Sequence, residues 1–309
     1  MEPPMSRRSL RLSAGACLIL AAMPSAGCQL GARVAGLGRP TIHIGTTRVG
    51  TLTLLPAEFY ALQPELEKLF DQPVVFDSQF SGTMIGKQLA AGHLDFAFLS
   101  PREYAEIPED TRMSLLATAL NRGGKPAREA LLIASAKSDV QGPADCRGKR
   151  FAFGPANDLL LDRAARDALR KAGVGPADLA RELPPLSMTG RLNVLGGSPE
   201  IAKLVAFDAL IPCGVIDEIT YHALPETGGS LLAGPSRDML RVIGRTEAVP
   251  EMVVVAGSRT DPAKVGMLQQ FLIERVRNLP TVCKQMDVTG FEKAEPEAYA
   301  AARLLMKSN

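Results

Sequence analysis

The stretch AAGHLDFAFLSPREY, residues 90–104, decides the fold class. The segment from Thr83 to Ala91 reads as a helix, and Gly92 closes it because glycine takes the left-handed backbone of a helix C-terminus at little cost. Phe96-Ala97-Phe98-Leu99 is then a short strand, apolar on both faces, and Ser100 follows where a cap would open the next helix. A strand buried on both faces between two helices belongs to a parallel sheet covered on both sides.

The same alternation extends in both directions. Thr41–Gly45 and Val74–Phe76 read as strands, with a helix between them whose face is Phe59, Leu62, Leu66 and Leu69 and which Pro64 kinks or restarts. Further on, Glu129–Ala134, Phe151–Phe153, Leu192–Leu195, Met239–Ile243 and Met252–Ala256 read as strands. Asp158–Ala172 (stopped by Gly173), Ile201–Phe207, Asp261–Asn278 and Glu297–Met306 read as helices. No internal repeat of solenoid period is present. Two α/β units in one chain place a ligand in the cleft between them, at the C-terminal ends of strands.

A second stretch bears on that ligand. In FAFGPANDLLLDRAARDALRKAG, residues 151–173, a strand delivers the chain to a helix N-terminus, where free N–H groups and the positive dipole end suit an anion. Asn157 and Asp158 are also strong N-cap residues, so the protein's own side chain competes for those amides.

The 309 residues are 46% apolar and 22% charged, as in a globular protein, with a formal net charge of +2. Residues 1–27 hold Arg7, Arg8 and Arg11 against Glu2, which leaves 32 basic and 32 acidic side chains in a neutral remainder. A nucleic-acid or anionic-membrane surface as main partner is therefore not expected. With no Trp and four Tyr, no stacking platform for bases or sugars is evident.

The apolar run LSAGACLILAAM, Leu12 to Met23, follows Ser6-Arg7-Arg8 and has the length of an export signal's core, too short to span a bilayer stably. Residues 1–27 are read as a signal peptide. Ala26-Gly27-Cys28 resembles a bacterial lipobox, in which Cys28 becomes the lipidated first residue, although Ser25 stands where Leu is usual and cleavage without lipid remains open. Ser6-Arg7-Arg8-Ser9-Leu10 also resembles a twin-arginine signal. On either route the mature protein works outside the cytoplasm, and Gly-rich residues 28–40 read as a tether. Cys146, Cys213 and Cys283 remain for at most one disulfide, and their spacing does not say which. His43, His93 and His222 have no partner at metal-site spacing, so neither a metal nor a cofactor is expected.

Residues 90–104 also resemble a known family: the PhnD-like extracytoplasmic solute-binding proteins of phosphate, phosphite and phosphonate ABC transporters. The likeness continues through Asp145-Cys146-Arg147-Gly148-Lys149-Arg150-Phe151-Ala152-Phe153-Gly154, resumes over Leu240–Pro250 and returns at Thr289-Gly290-Phe291. The resemblance implies the type II periplasmic-binding-protein fold: two lobes, each a mostly parallel sheet flanked by helices, joined by two crossover strands. Lobe one would comprise residues 41–127 and 250–309, and lobe two residues 128–249. The family also implies a small-molecule solute, a membrane permease as partner, a monomer and no enzymatic activity.

The ligand positions depart from the family pattern. Where relatives carry a Ser-Thr-Ser run this chain has Ala156-Asn157-Asp158. Ser198-Pro199 replaces Ser-His, and Pro212-Cys213-Gly214 replaces Asp-Ala-Gly. A carboxylate about 4 Å from a phosphonate costs on the order of 1–4 kcal/mol per charge pair. In lobe one the candidate ligand groups are Thr46 and Arg48 after the first strand, Ser81 and Thr83 opening a helix, and Ser100 with Tyr104. From lobe two come Asn157, Asp158 and Ser198. Thr46, Ser81 and Ser100 read equally as helix caps. Arg128, Arg191, Lys203 and Glu218 read as surface charges.

The expected function is a solute-binding lipoprotein of a phosphate/phosphonate-like transporter, with a ligand that is an oxyanion or a diverged polar solute. A sensory or orphan binding lipoprotein is the alternative. An enzyme on the same fold is the remote one, since no Gly-x-Ser-x-Gly elbow, P-loop or His-Glu-x-x-His pair occurs.

Overall fold

Alternating side chains on the central strands feed hydrophobic cores on both faces of two sheets, which sets the architecture. The computed structural model describes residues 40–47, 57–79, 81–156, 158–180 and 197–307. The expected strand at 192–195, the export segment, Cys28, Arg48, Asn157 and Arg191 lie outside them.

The first sheet contains β1 (Ile42–Thr47), β2 (Val74–Gln79), β3 (Phe96–Leu99), β4 (Met113–Leu120), β11 (Val253–Gly257) and β12 (Gly290–Lys293), in the order β12-β4-β11-β3-β1-β2. β1 lies parallel to β2 and β3, whereas β11, arriving from far along the chain, runs antiparallel between β3 and β4. Phe96 and Phe98 face one core with Val254 and Ala256. Ala97 and Leu99 face the other with Val253 and Val255. This is the period of two expected of a doubly covered sheet. The helices α1 (Leu62–Phe70), α7 (Pro262–Gln270) and α8 (Pro280–Met286) cover the first face. The second is covered by α2 (Gly82–Ala91), α3 (Pro101–Glu106) and part of α9 (Pro296–Lys307).

The second sheet has the order β7-β8-β6-β9, from β6 (Ala130–Ser135), β7 (Phe151–Ala152), β8 (Cys213–Asp217) and β9 (Leu240–Arg245). Leu131 and Ile133 pack under α5 (Ser198–Phe207). Ala130, Leu132 and Ala134 face the helix that opens as a π-turn at Leu159–Ala164 and continues as α4 (Ala165–Lys171). Between the sheets, β5 (Ala127–Arg128) and β10 (Val249–Pro250) form a two-stranded antiparallel ribbon, the two connections side by side.

Two expectations meet a different structure. Both sheets, expected to be mostly parallel, are mixed, with β11 antiparallel to β3 and β4, β12 to β4, and β6 to β8 and β9. The segment 261–278 is helical throughout, but α7 gives way to a π-turn at Phe271–Arg275 and a 3-10 turn at Val276–Asn278. The helix α9 contributes Tyr299 to the first body's core and Ala302 to the second's, both fully buried. The Tyr299 hydroxyl donates to the Glu251 carbonyl at 3.0 Å and lies 2.9 Å from Thr118 Oγ1. Tyr299→Phe is expected to lower stability by about 1–2 kcal/mol in urea denaturation, because the buried Glu251 carbonyl and Thr118 hydroxyl lose a partner.

Candidate functional site

Three segments converge on one cavity of about 330 Å³. The N-terminus of α3 supplies Ser100 and Glu103, the turn before the π-helix supplies Pro155, Ala156 and Asp158, and the connecting ribbon supplies Arg128 with Glu251.

The turn is shaped by Gly154. A Cβ there would lie 2.4 Å from Leu161 Cβ, so only glycine lets the strand fold back so closely on the helix it feeds. Asp158 then takes extended backbone as the N-cap, and its Oδ1 accepts from the amides of Leu160 (2.9 Å) and Leu161 (2.7 Å). These are the free donors that a helix start offers to an anion, and the protein's own carboxylate holds both.

The helices beside the first sheet repeat the arrangement. Ser100 caps α3 by accepting from the Glu103 amide at 3.3 Å, and Glu103 Oε2 accepts in return from the Ser100 amide at 2.7 Å. The other oxygen of Glu103 accepts from the Thr47 hydroxyl. At the start of α2, the Gly82 amide donates to Glu106 Oε2 at 3.0 Å and the Thr83 hydroxyl to the Glu106 carbonyl at 3.0 Å. At the cavity, two carboxylates, Asp158 and Glu103, thus sit on backbone amides of helix starts.

The structure brings Ser100 and Asp158 to the cavity and engages the other candidates elsewhere. Ser81 caps α2 by accepting from the Met84 amide at 3.3 Å. Thr46 is buried, and its hydroxyl has no partner among the described residues. Tyr104 is packed edge-on against Tyr299 with the Arg303 guanidinium over its ring. Ser198 is buried in the first turn of α5, where its hydroxyl accepts from the Asp217 amide at 2.8 Å. Cys213 and Gly214, at the third departing position, are buried in β8.

Burial works against ionised Asp217, yet hydrogen bonds from Ser198 and Thr220 hold its carboxyl below the ordinary aspartate value. This contribution is present above that ordinary value near 3.8 and is lost as pH falls through the lower folded one. Asp217→Asn should therefore lower the urea midpoint at pH 7, by the equivalent of about 1–2 kcal/mol, with the difference shrinking in titrations toward pH 3.

Glu103 and Glu251 line the cavity without having been singled out from the sequence, and Arg128, read there as a surface charge, lines it too. Arg128 is not a plain surface charge: its Nε lies 3.1 Å from Glu251 Oε1, which also accepts from Asn121 Nδ2 at 3.1 Å. Burial pushes the Glu251 carboxyl up, and Arg128 and Asn121 oppose that rise. The signal lay in the ribbon, where Arg128 stands opposite Val249 and so reaches the neighbourhood of Glu251.

A profile of the family described as "ABC transporter, phosphonate, periplasmic substrate-binding protein" matches residues 53–299. The chain belongs to that family. As a member it is the solute-binding component that works with an ABC transporter's membrane permease, and its place is extracytoplasmic. The family is a class of transport binding proteins, not of enzymes.

No curated protein matches this binding protein by sequence. Among solved structures, a Xanthomonas citri protein bound to chloride ion is 16% identical at TM-score 0.63, over 86% of this chain and 96% of the other. PhnD1 from Prochlorococcus marinus, in complex with methylphosphonate, is 14% identical at TM-score 0.58, over 86% and 97%. A binding protein component of a phosphonate ABC transporter from Pseudomonas aeruginosa is 16% identical at TM-score 0.56, over 87% and 86%. These likenesses establish the type II periplasmic-binding-protein fold for this binding protein.

Proposed function

We propose that the mature binding protein is a monomeric solute receptor, held at the membrane by a lipid on Cys28, whose cleft takes a cationic or neutral hydroxyl-bearing solute in place of a phosphonate dianion. The observation that carries this is Asp158 Oδ1 accepting from both the Leu160 and Leu161 amides. A phosphonate arriving there meets a negative charge and finds the Leu160 and Leu161 amides already engaged, and both effects oppose binding. Glu103 holds the Ser100 amide in the same way, so the bias extends to the α3 side of the cavity.

The test is a thermal-shift screen of the purified protein with phosphate, phosphite, methylphosphonate, 2-aminoethylphosphonate, carboxylates, polyols and small organic cations. A ligand at a hundred times its Kd adds about 2.7 kcal/mol, a readily measured shift. Stabilisation by a cation or polyol, with none from methylphosphonate, is the expected result. Stabilisation by micromolar phosphonate overturns the reading. Fatty-acid labelling of wild type and its loss in Cys28→Ser test the anchor separately.

A further inference from the structure

Cys146 and Cys213, far apart in the chain, come together in the core of the second body. Cys146 ends the 3-10 turn Pro143–Cys146, and a further turn, with Lys149 N–H on the Cys146 carbonyl at 2.9 Å, leads the chain into β7. Cys213 opens β8 and stands beside Phe151 of β7 in the parallel pairing. Both side chains are fully buried in the same apolar cluster, close enough that each thiol's ionisation is shifted first by the other. Cys283 belongs to the other body, where its thiol donates to the Val276 carbonyl at 3.2 Å. The geometry therefore removes the ambiguity that chain spacing leaves.

We propose that Cys146 and Cys213 form a structural disulfide in the exported protein. The family's compartment is oxidising, and among the described cysteines Cys146 and Cys213 are the two that share one buried cluster. The oxidant is the disulfide of a dithiol–disulfide oxidoreductase. One cysteine thiolate attacks it to give a mixed disulfide, the second displaces the enzyme's sulfur, and the enzyme leaves as a dithiol carrying the two electrons and two protons. In the folded state both thiols are fully buried, out of reach of an external disulfide once the core has packed. The exchange thus precedes packing of the second body, and the finished bond is shielded from external thiols.

The bond ties the strand that leads to the Asp158 turn to the middle of the second sheet. It limits the unfolded chain more than it alters the folded one.

The experiment uses the full chain recovered from the periplasm, denatured with iodoacetamide and no reductant, then digested with trypsin. Peptide 138–147 should appear joined to peptide 204–237, with neither alkylated. Recovery of both as separate alkylated peptides overturns the proposal. Reduction under denaturing conditions followed by refolding should lower the wild-type Tm by roughly 5–10 °C. The Tm of Cys146→Ala should not respond to reductant. An unchanged wild-type Tm, or an equal fall in the variant, overturns the structural role, and the peptide map decides the bond even if the variant does not fold.

Discussion

Asp158→Ser is expected to bind methylphosphonate more tightly than the wild type by about tenfold to a thousandfold. The lower figure corresponds to about 1.4 kcal/mol and the upper to about 4 kcal/mol, the range for removing one like charge at about 4 Å as effective dielectric falls. Serine is as good an N-cap as aspartate, so the π-turn and α4 keep their start, and the substitution leaves overall stability nearly unchanged. The smaller side chain offers a hydroxyl donor and lets a phosphonyl oxygen compete for the Leu160 and Leu161 amides, now held at 2.9 and 2.7 Å. Asp158→Ala separates the effects: it removes the same charge but costs about 1 kcal/mol as a lost cap. Isothermal titration of the three proteins with methylphosphonate decides the matter. A serine variant no tighter than wild type would show that the carboxylate is not what excludes the anion.

Gly82→Ala should be the most damaging single-methyl change near the cleft, at about 3 kcal/mol, the upper part of the usual range for overpacking. A Cβ at Gly82 would lie 1.9 Å from the Glu103 carbonyl oxygen and 2.6 Å from its carbon, both backbone atoms. No side-chain rotation relieves that contact, so α2 and α3 must separate. Separation also draws the Gly82 amide away from Glu106 and displaces the α3 N-terminus that brings Ser100 and Glu103 to the cavity. The control is Gly266→Ala in α7, where the added methyl meets nothing within 4 Å. It should gain about 0.5–1 kcal/mol through a less flexible unfolded chain. Urea midpoints that fall equally in both variants would contradict this account of α2–α3 packing.

The fold was legible wherever a strand was apolar on both faces and a glycine marked a helix end. Residues 90–104 held both signals, and Gly92 and Gly173 do take left-handed backbone, at φ 74° and 81°. Strand β4 escaped notice because MSLLATAL is built of good helix formers, and its neighbours β11 and β12 hold it extended. The π-turn at 159–164 has no signature in LLLDRA. It is visible only in the Arg163 amide reaching back to the Asp158 carbonyl at 2.9 Å.

At the cleft, Asp158 was readable as a cap because the cue is local. The Ser100-x-x-Glu103 capping box was equally local, yet its meaning for the cleft depends on Thr47 arriving from another strand. The pair Arg128 and Glu251 depends on the register of two segments far apart in the chain, which residue types alone do not encode.

The position of β11 between β3 and β4 has a kinetic consequence. Pairing Val253 with Thr118 closes a loop of roughly 130 residues, at about 4 kcal/mol of chain entropy if the intervening segment is still unfolded. The cost falls to that of a short loop once β6, β8 and β9 have formed their own sheet and the β5–β10 ribbon has brought both ends of the insert together. High contact order in the outer body is thereby offset by prior collapse of the inner one. The chain is expected to fold from the inside out, with the cleft taking shape when the outer sheet closes around a lobe already made.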